Sequence, residues 1–248
     1  MVLSNFKLYY KTVDIWETHL TRSPQYLEFY QSILADDELK RARQFKFERD
    51  QQAFIIARGT LRIILSHYLN LSPEQIKFKY SSKGKPSLDQ DPSPLYFNLS
   101  HAHEKAIYAI APEENIGIDI EYMREIEVLS LAQRFFCDSE YRWLNSLDSE
   151  AQYPAFFRLW TCKEAYLKAT GEGLVGLQDV EIVTPLDSNL KILKISQDSA
   201  LAKNWRLQSI ETAENYIGTL AIKGINYQFK YYQWIQEEEI EYNIIAKD

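Results

Sequence analysis

The sequence predicts an α+β protein built of two similar halves. Two observations carry that prediction. Between about Asp37 and Leu69, Phe54, Ala57, Leu61, Ile64, Leu65 and Tyr68 recur at three- and four-residue steps, as a helix stripe requires, and the segments that follow alternate apolar and polar residues, as half-buried strands do. The same order, helices and then antiparallel strands, returns between residues 128 and 235. No literal repeat accompanies it, so the halves resemble one another in order and not in residues.

Along the chain, residues 4–20 read as extended structure, and Ser23-Pro24 opens a short helix. The stripe from Asp37 to Leu69 divides into two helices, closed by Asn70 and Ser72-Pro73. Ile76 to Tyr80 alternates as a strand, and Ser81 to Pro86 turns the chain. After a Pro- and Asp-rich loop at 89–94, Tyr96 to Ser100 and Lys105 to Ala111 form a hairpin, and Pro112 to Asn115 leads into a strand from Ile116 to Glu121. Helical patterns at 128–147 and 152–170 precede strand-like segments at 179–195, 204–210, 216–223 and 227–235.

A chain of 248 residues accommodates one large domain or two modest ones. Hydrophobic residues at 46% and charged residues at 25% are ordinary for a folded soluble chain, which argues against disorder. The N-terminus lacks a basic start followed by a long apolar run, and no stretch reaches transmembrane length, so neither a signal peptide nor a membrane partner is expected. Cys137 and Cys162 are too few for a disulfide framework or a cysteine zinc site, and suit a reduced, cytoplasmic setting. A net charge of −7 disfavours nucleic acid, whose binding depends on Lys and Arg neutralising phosphates. A small polyphosphate needs only a local cluster. The positive residues do cluster, at Lys40, Arg41, Arg43, Lys46 and Arg49 and again at Lys77, Lys79, Lys83 and Lys85, far from the acidic run Glu237–Glu239.

Residues two apart on a strand share a face, so Gly117, Asp119 and Glu121 point one way and Ile116, Ile118 and Ile120 the other. Two carboxylates beside a residue without a side chain suit a hard cation such as magnesium, although a solvated strand face gives the same pattern. Glu164 shares a helical stripe with Phe156, Trp160 and Leu167, which predicts a partly buried carboxylate in need of a compensating cation. Lys168, one turn on, is a candidate partner, in what could equally be a common Glu-to-Lys helix pair. Cys162 reads as a small buried hydrophobe better than as a nucleophile. Ser100 and His101, at a strand end, suit phosphate binding better than nucleophilic catalysis. Lys83-Gly-Lys-Pro86 alone is a basic turn.

Taken in order, Lys83-Gly-Lys-Pro86, Asn98-Leu-Ser-His101, Gly117-Ile-Asp-Ile-Glu121 and Trp160-Thr-Cys-Lys-Glu-Ala-Tyr-Leu-Lys168 resemble the surfactin-synthetase-activating type of 4′-phosphopantetheinyl transferase. Phe135-Phe136 and Gly171-Glu-Gly-Leu174 fit the same pattern, and the resemblance spans about residues 37–175. It implies a pseudo-two-fold fold of two halves, each an antiparallel sheet packed with helices, with the active site between them. The halves fall at 1–115, which binds the 3′-phosphate and adenine of coenzyme A, and 116–248, which carries the metal and catalytic residues.

The implied reaction transfers the phosphopantetheine arm of coenzyme A, the co-substrate, to a serine of an apo acyl, peptidyl or aryl carrier protein domain and releases 3′,5′-ADP. Asp119, Glu121 and Glu164 would hold magnesium, or manganese in its place. Glu164 would also serve as base, and Lys168 would stabilise the departing phosphate, with Asp119 completing the catalytic set. Coenzyme A contacts map onto Arg41, Lys83, Gly84, Lys85, Pro86, Asn98, Ser100, His101, Asp119, Lys163 and Lys168, with Arg49 and Arg58 as further candidates. A monomer would suffice. Two rival readings remain: a metal-dependent phosphodiesterase, for which three carboxylates and a lysine also serve, and a non-catalytic protein that binds coenzyme A or carriers.

Overall fold

The computed structural model describes residues 6–21, 24–183, 191–236 and 242–247. Ser23, the middle of the 179–195 segment and the acidic run Glu237–Glu239 lie outside them. The elements in chain order are β1 (Thr12–His19), α1 (Pro24–Ser32), α2 (Asp36–Ala42), α3 (Glu48–Leu69), β2 (Phe78–Tyr80), β3 (Pro86–Leu88), β4 (Tyr96–Ala102), β5 (Lys105–Ala111) and β6 (Ile116–Tyr122). The second half adds α4 (Val128–Phe135), α5 (Asp138–Asn145), α6 (Ser149–Thr170), β7 (Val180–Val183), β8 (Lys191–Ile195), α7 (Ser199–Ala202), β9 (Trp205–Ile210), β10 (Tyr216–Lys223), β11 (Gln228–Gln236) and β12 (Tyr242–Lys247).

The α+β class holds, and alternation along the strands explains how the layers stack. On β1 and β5, Trp16, Ala106, Tyr108 and Ile110 face α3, whereas Val13, Ile15, Ile107 and Ala109 face the other way, onto Ile116, Ile118, Ile120, Leu220 and Ile222. The second sheet turns its opposite face to α6, so the order through the molecule is α3, sheet, sheet, α6. Each half therefore sets one 22-residue helix against its sheet. Both helices end at a residue in the left-handed region: Asn70 (φ 53°), the expected stop, closes α3 and Gly171 (φ 77°) closes α6. Asp148 caps the start of α6 by accepting from the Ala151 N–H at 2.8 Å.

The first sheet runs β12-β11-β1-β5-β4 and the second β6-β10-β9. One strand pairing, that of β1 with β11, crosses the 115/116 boundary. Strands β11 and β12 come last in the chain yet extend the first sheet, and β11 lies parallel to β1, Thr12 opposite Gln228 through Thr18 opposite Trp234. Burial of Trp234 against Trp16 and α3 supplies the reason, since a strand carrying that indole needs the apolar face of the first sheet. Strands β4 and β6 are edges of their sheets and run side by side. The Ile118 N–H, which no neighbouring strand satisfies, donates to Asn98 Oδ1 at 2.9 Å and so ties the two edges together.

Candidate active site

Gly117 sets the site up. A Cβ there would overlap the Ala165 carbonyl and the Ala169 amide of α6, so only glycine lets the strand backbone lie directly on the helix. Two residues on, Asp119 faces the same helix and is 3% exposed. Lys168 Nζ donates to Asp119 Oδ1 at 2.6 Å and to Ser100 Oγ at 2.8 Å, and Ser100 Oγ donates to the same Asp119 oxygen at 2.9 Å. The other Asp119 oxygen, Oδ2, is buried and has no hydrogen-bond partner. Glu121 and Glu164, half-buried nearby, are each pushed up to about 7, first by loss of water and then by the Asp119 charge. Three carboxyl groups thus share this corner with Lys168, and Arg124 adds its charge near Glu121.

Among the described residues, no three histidine, cysteine or carboxylate side chains already converge as a metal cluster. The residues nonetheless fit a hard divalent cation: an orphaned buried carboxylate oxygen and two carboxyls whose ionisation is penalised are the donors such an ion takes.

A cleft of about 410 Å³ opens beside these carboxylates. Ten of the residues expected at the site line it: Arg41, the turn Lys83 to Pro86, Asn98, Ser100, His101, Glu164 and Lys168. The cleft therefore has walls from both halves, Arg41 from α2 and Glu164 with Lys168 from α6. His101 is open to the cleft, and loss of bulk water, with the Lys168 charge, pulls its pKa down. Phe54 and Tyr80 also line the cleft and were not singled out by sequence, because nothing in their spacing separates them from core aromatics. Arg58 borders it too, but Glu38 and the Tyr80 hydroxyl, both at 2.6 Å, engage its guanidinium.

Asp119 and Glu121 lie beside the cleft and not in its lining, Arg49 is not in the lining either, and Lys163 falls elsewhere altogether. Lys163 is fully buried on the far side of α6, where its ammonium pairs with Glu140 at 2.8 Å and donates to the Leu177 and Val180 carbonyls. It does not reach the cleft, so the expected pyrophosphate contact is replaced by a structural one. The turn lysines line the cleft but spend their ammonium groups on carbonyls: Lys83 on Glu172 O at 2.6 Å, Lys85 on Ala169 O at 2.6 Å and Ile116 O at 3.3 Å. Cys162 is buried beside Thr219, and burial pushes its thiol up to about 12, which agrees with a packing role.

A two-walled cleft with a basic lip and a buried carboxylate corner defines a protein that handles an anionic, phosphate-bearing substrate. Sequence comparison makes the class specific. The 4′-phosphopantetheinyl transferase superfamily pattern matches residues 115–221, and the N-terminal pattern of 4′-phosphopantetheinyl transferases matches residues 19–113. The 4′-phosphopantetheinyl transferase HetI of Nostoc is 39% identical over 93% of this chain and 95% of its own length. A putative 4′-phosphopantetheinyl transferase of Synechocystis is 37% identical over 73% of each chain. The transferase gsp of Aneurinibacillus migulanus is 38% identical over 51% of each. The chain belongs to the 4′-phosphopantetheinyl transferase family, whose activity is transfer of the phosphopantetheine arm of coenzyme A to carrier proteins.

Proposed function

We propose that this chain carries out that transfer as a magnesium-dependent, monomeric enzyme, with the chemistry at the seam of β4, β6 and α6. The observation that carries the reading is the Asp119 carboxylate, held by Lys168 and Ser100 with its second oxygen unpartnered, near Glu121 and near Glu164, which lines the cleft. Both walls come from one chain, so a second copy is not needed to complete the site.

Asp119, Glu121 and Glu164 would hold the cation, which would supply charge neutralisation for the pyrophosphate oxygens. Arg41 and His101 line the cleft, where they would meet the anionic groups of coenzyme A, and Lys168, bonded to Asp119, lines the same cleft and would meet a phosphate oxygen. The carrier serine hydroxyl attacks the β-phosphorus. Its proton passes to Glu164, the new bond joins serine oxygen to phosphorus, and the bond from phosphorus to the 3′,5′-ADP oxygen breaks. Lys168 stabilises the charge left on the departing phosphate. Two free cysteines among the described residues, and no helix there long and apolar enough to cross a membrane, suit a reduced cytoplasmic setting.

Incubation with coenzyme A, magnesium and an apo carrier domain tests this reading. A carrier mass gain of one phosphopantetheine supports it. Coenzyme A cleavage that needs no carrier would instead indicate a phosphodiesterase, and binding without either reaction would indicate a non-catalytic protein.

A further inference from the structure

Trp160, Glu164 and Lys168 stand at four-residue steps on α6 and so follow one another along one face of the helix. Opposite them, Asp119 and Glu121 stand two apart on β6. Each strand carboxyl takes a donor from the helix: Asp119 accepts from the Lys168 ammonium at 2.6 Å, and Glu121 accepts from the Trp160 indole N–H. Glu164 lies midway between the two donors along the helix. We propose that Trp160 is a positioning residue of the carboxylate site, holding one oxygen of Glu121 so that the other is presented to the cation that Asp119 and Glu164 would share.

The two donors differ in kind. Lys168 brings a charge that balances Asp119, whereas an indole N–H is neutral and donates once, so it fixes one oxygen of Glu121 and leaves the carboxyl in need of a cation. A glutamate that nothing holds spreads over many rotamers, and ordering it costs entropy. The neighbours of Glu121 supply little restraint: Ile217 lies directly across the ladder on β10, and Arg124 is exposed and adds charge. The indole, by contrast, is itself fixed. It stacks on Phe156 with ring centroids 5.8 Å apart, meets Phe135 edge-on at 5.8 Å and has Phe136 at 6.3 Å. A ring held by three others aims its N–H in one direction. Partners that orient a metal-binding carboxylate in this way change metal affinity by about 10–100-fold when removed, without touching the metal themselves.

This inference rests on the metal-dependent reading of the site, and its test separates the two. Manganese alone, titrated into the protein without coenzyme A and followed by electron paramagnetic resonance, measures affinity at the site with no turnover. Trp160→Phe keeps an aromatic ring against Phe156 and removes the donor. It is expected to weaken manganese binding by about tenfold. Because Trp160 acts through Glu121, the double variant Trp160→Phe with Glu121→Ala is expected to bind within about twofold of Glu121→Ala alone. Saturating manganese is expected to return the transfer rate of Trp160→Phe to within about threefold of the wild type, a rescue that a packing defect would not allow.

Manganese binding by Trp160→Phe within about threefold of the wild type would overturn the proposal. Losses that multiply in the double variant would overturn it as well, since they would make the two residues independent. If the wild type itself binds no manganese, the metal reading fails and the proposal falls with it, a result distinct from a wild type and a variant that bind equally well. Should Trp160→Phe not fold, replacing the indole by benzothiophene, which keeps the shape and exchanges the N–H for sulfur, carries the same readouts.

Discussion

Lys168 Nζ lies 2.6 Å from Asp119 Oδ1, joining a helix residue to a strand residue in the core of the site. The two ends differ: the Asp119 side chain is 4% exposed and that of Lys168 is 30% exposed. Lys168→Met therefore leaves a buried carboxylate without its cation. Expected is a stability loss of about 1–3 kcal/mol, below the full cost of breaking a buried pair because Lys168 is partly solvated. Urea unfolding measures it, and magnesium should recover more of the loss in the variant than in the wild type.

The raised carboxyls give the metal-free protein a defined pH dependence. Glu121 and Glu164 are each pushed up to about 7 in the fold, from an ordinary value of 4.5. Groups whose folded pKa lies above the unfolded one contribute stability that is fully present below the unfolded value and lost as pH rises through the folded one. In EDTA, stability should thus decline between about pH 4.5 and 7, by on the order of 1–2 kcal/mol for the two partly solvated groups together. Magnesium at pH 7.5 should raise Tm, and Glu121→Gln should flatten the decline. Thermal melts across pH, with and without the ion, check both.

Lys163 and Glu140 form a buried pair remote from the cleft. Lys163→Met should cost about 3–5 kcal/mol, because Glu140 is left charged and buried, whereas Lys163→Met with Glu140→Leu should restore much of it. Coenzyme A affinity of the folded double variant, measured by calorimetry, should match the wild type.

Asn98 joins the two edge strands through a single side-chain acceptor. Asn98→Ala leaves the buried Ile118 N–H unsatisfied, at a cost of about 1–3 kcal/mol. Faster amide exchange along 116–122 should accompany the loss.

The contrast between Lys163 and Lys168 shows what the sequence could and could not reveal. Both stand near Glu164 on one helix, and the apolar stripe correctly marked Glu164 as half-buried. A stripe marks one packed face. Helix α6 is packed on several sides, against the second sheet, against α4 and α5 and along the 174–179 turn, so a lysine off the stripe was buried as well. The alternation of Gly117, Asp119 and Glu121 was legible because strand parity is local. The bonds of Lys85 to Ala169 and Ile116 were not, since they join residues 84 and 31 positions apart through a contact that only the packed sheets create. The return of β11 to pair with β1 is of the same kind: its pattern announced a strand, and only burial of Trp234 fixed its neighbour.

Glu164→Gln keeps size and shape and removes only the charge and the proton-accepting oxygen. The decisive measurement is the rate of phosphopantetheine addition to an apo carrier domain, followed by intact mass, for this variant against the wild type. Loss of at least about 100-fold in rate, with the fold retained and coenzyme A still bound, is the predicted result. A rate within tenfold of the wild type would contradict the placement of metal binding and proton transfer at Glu164.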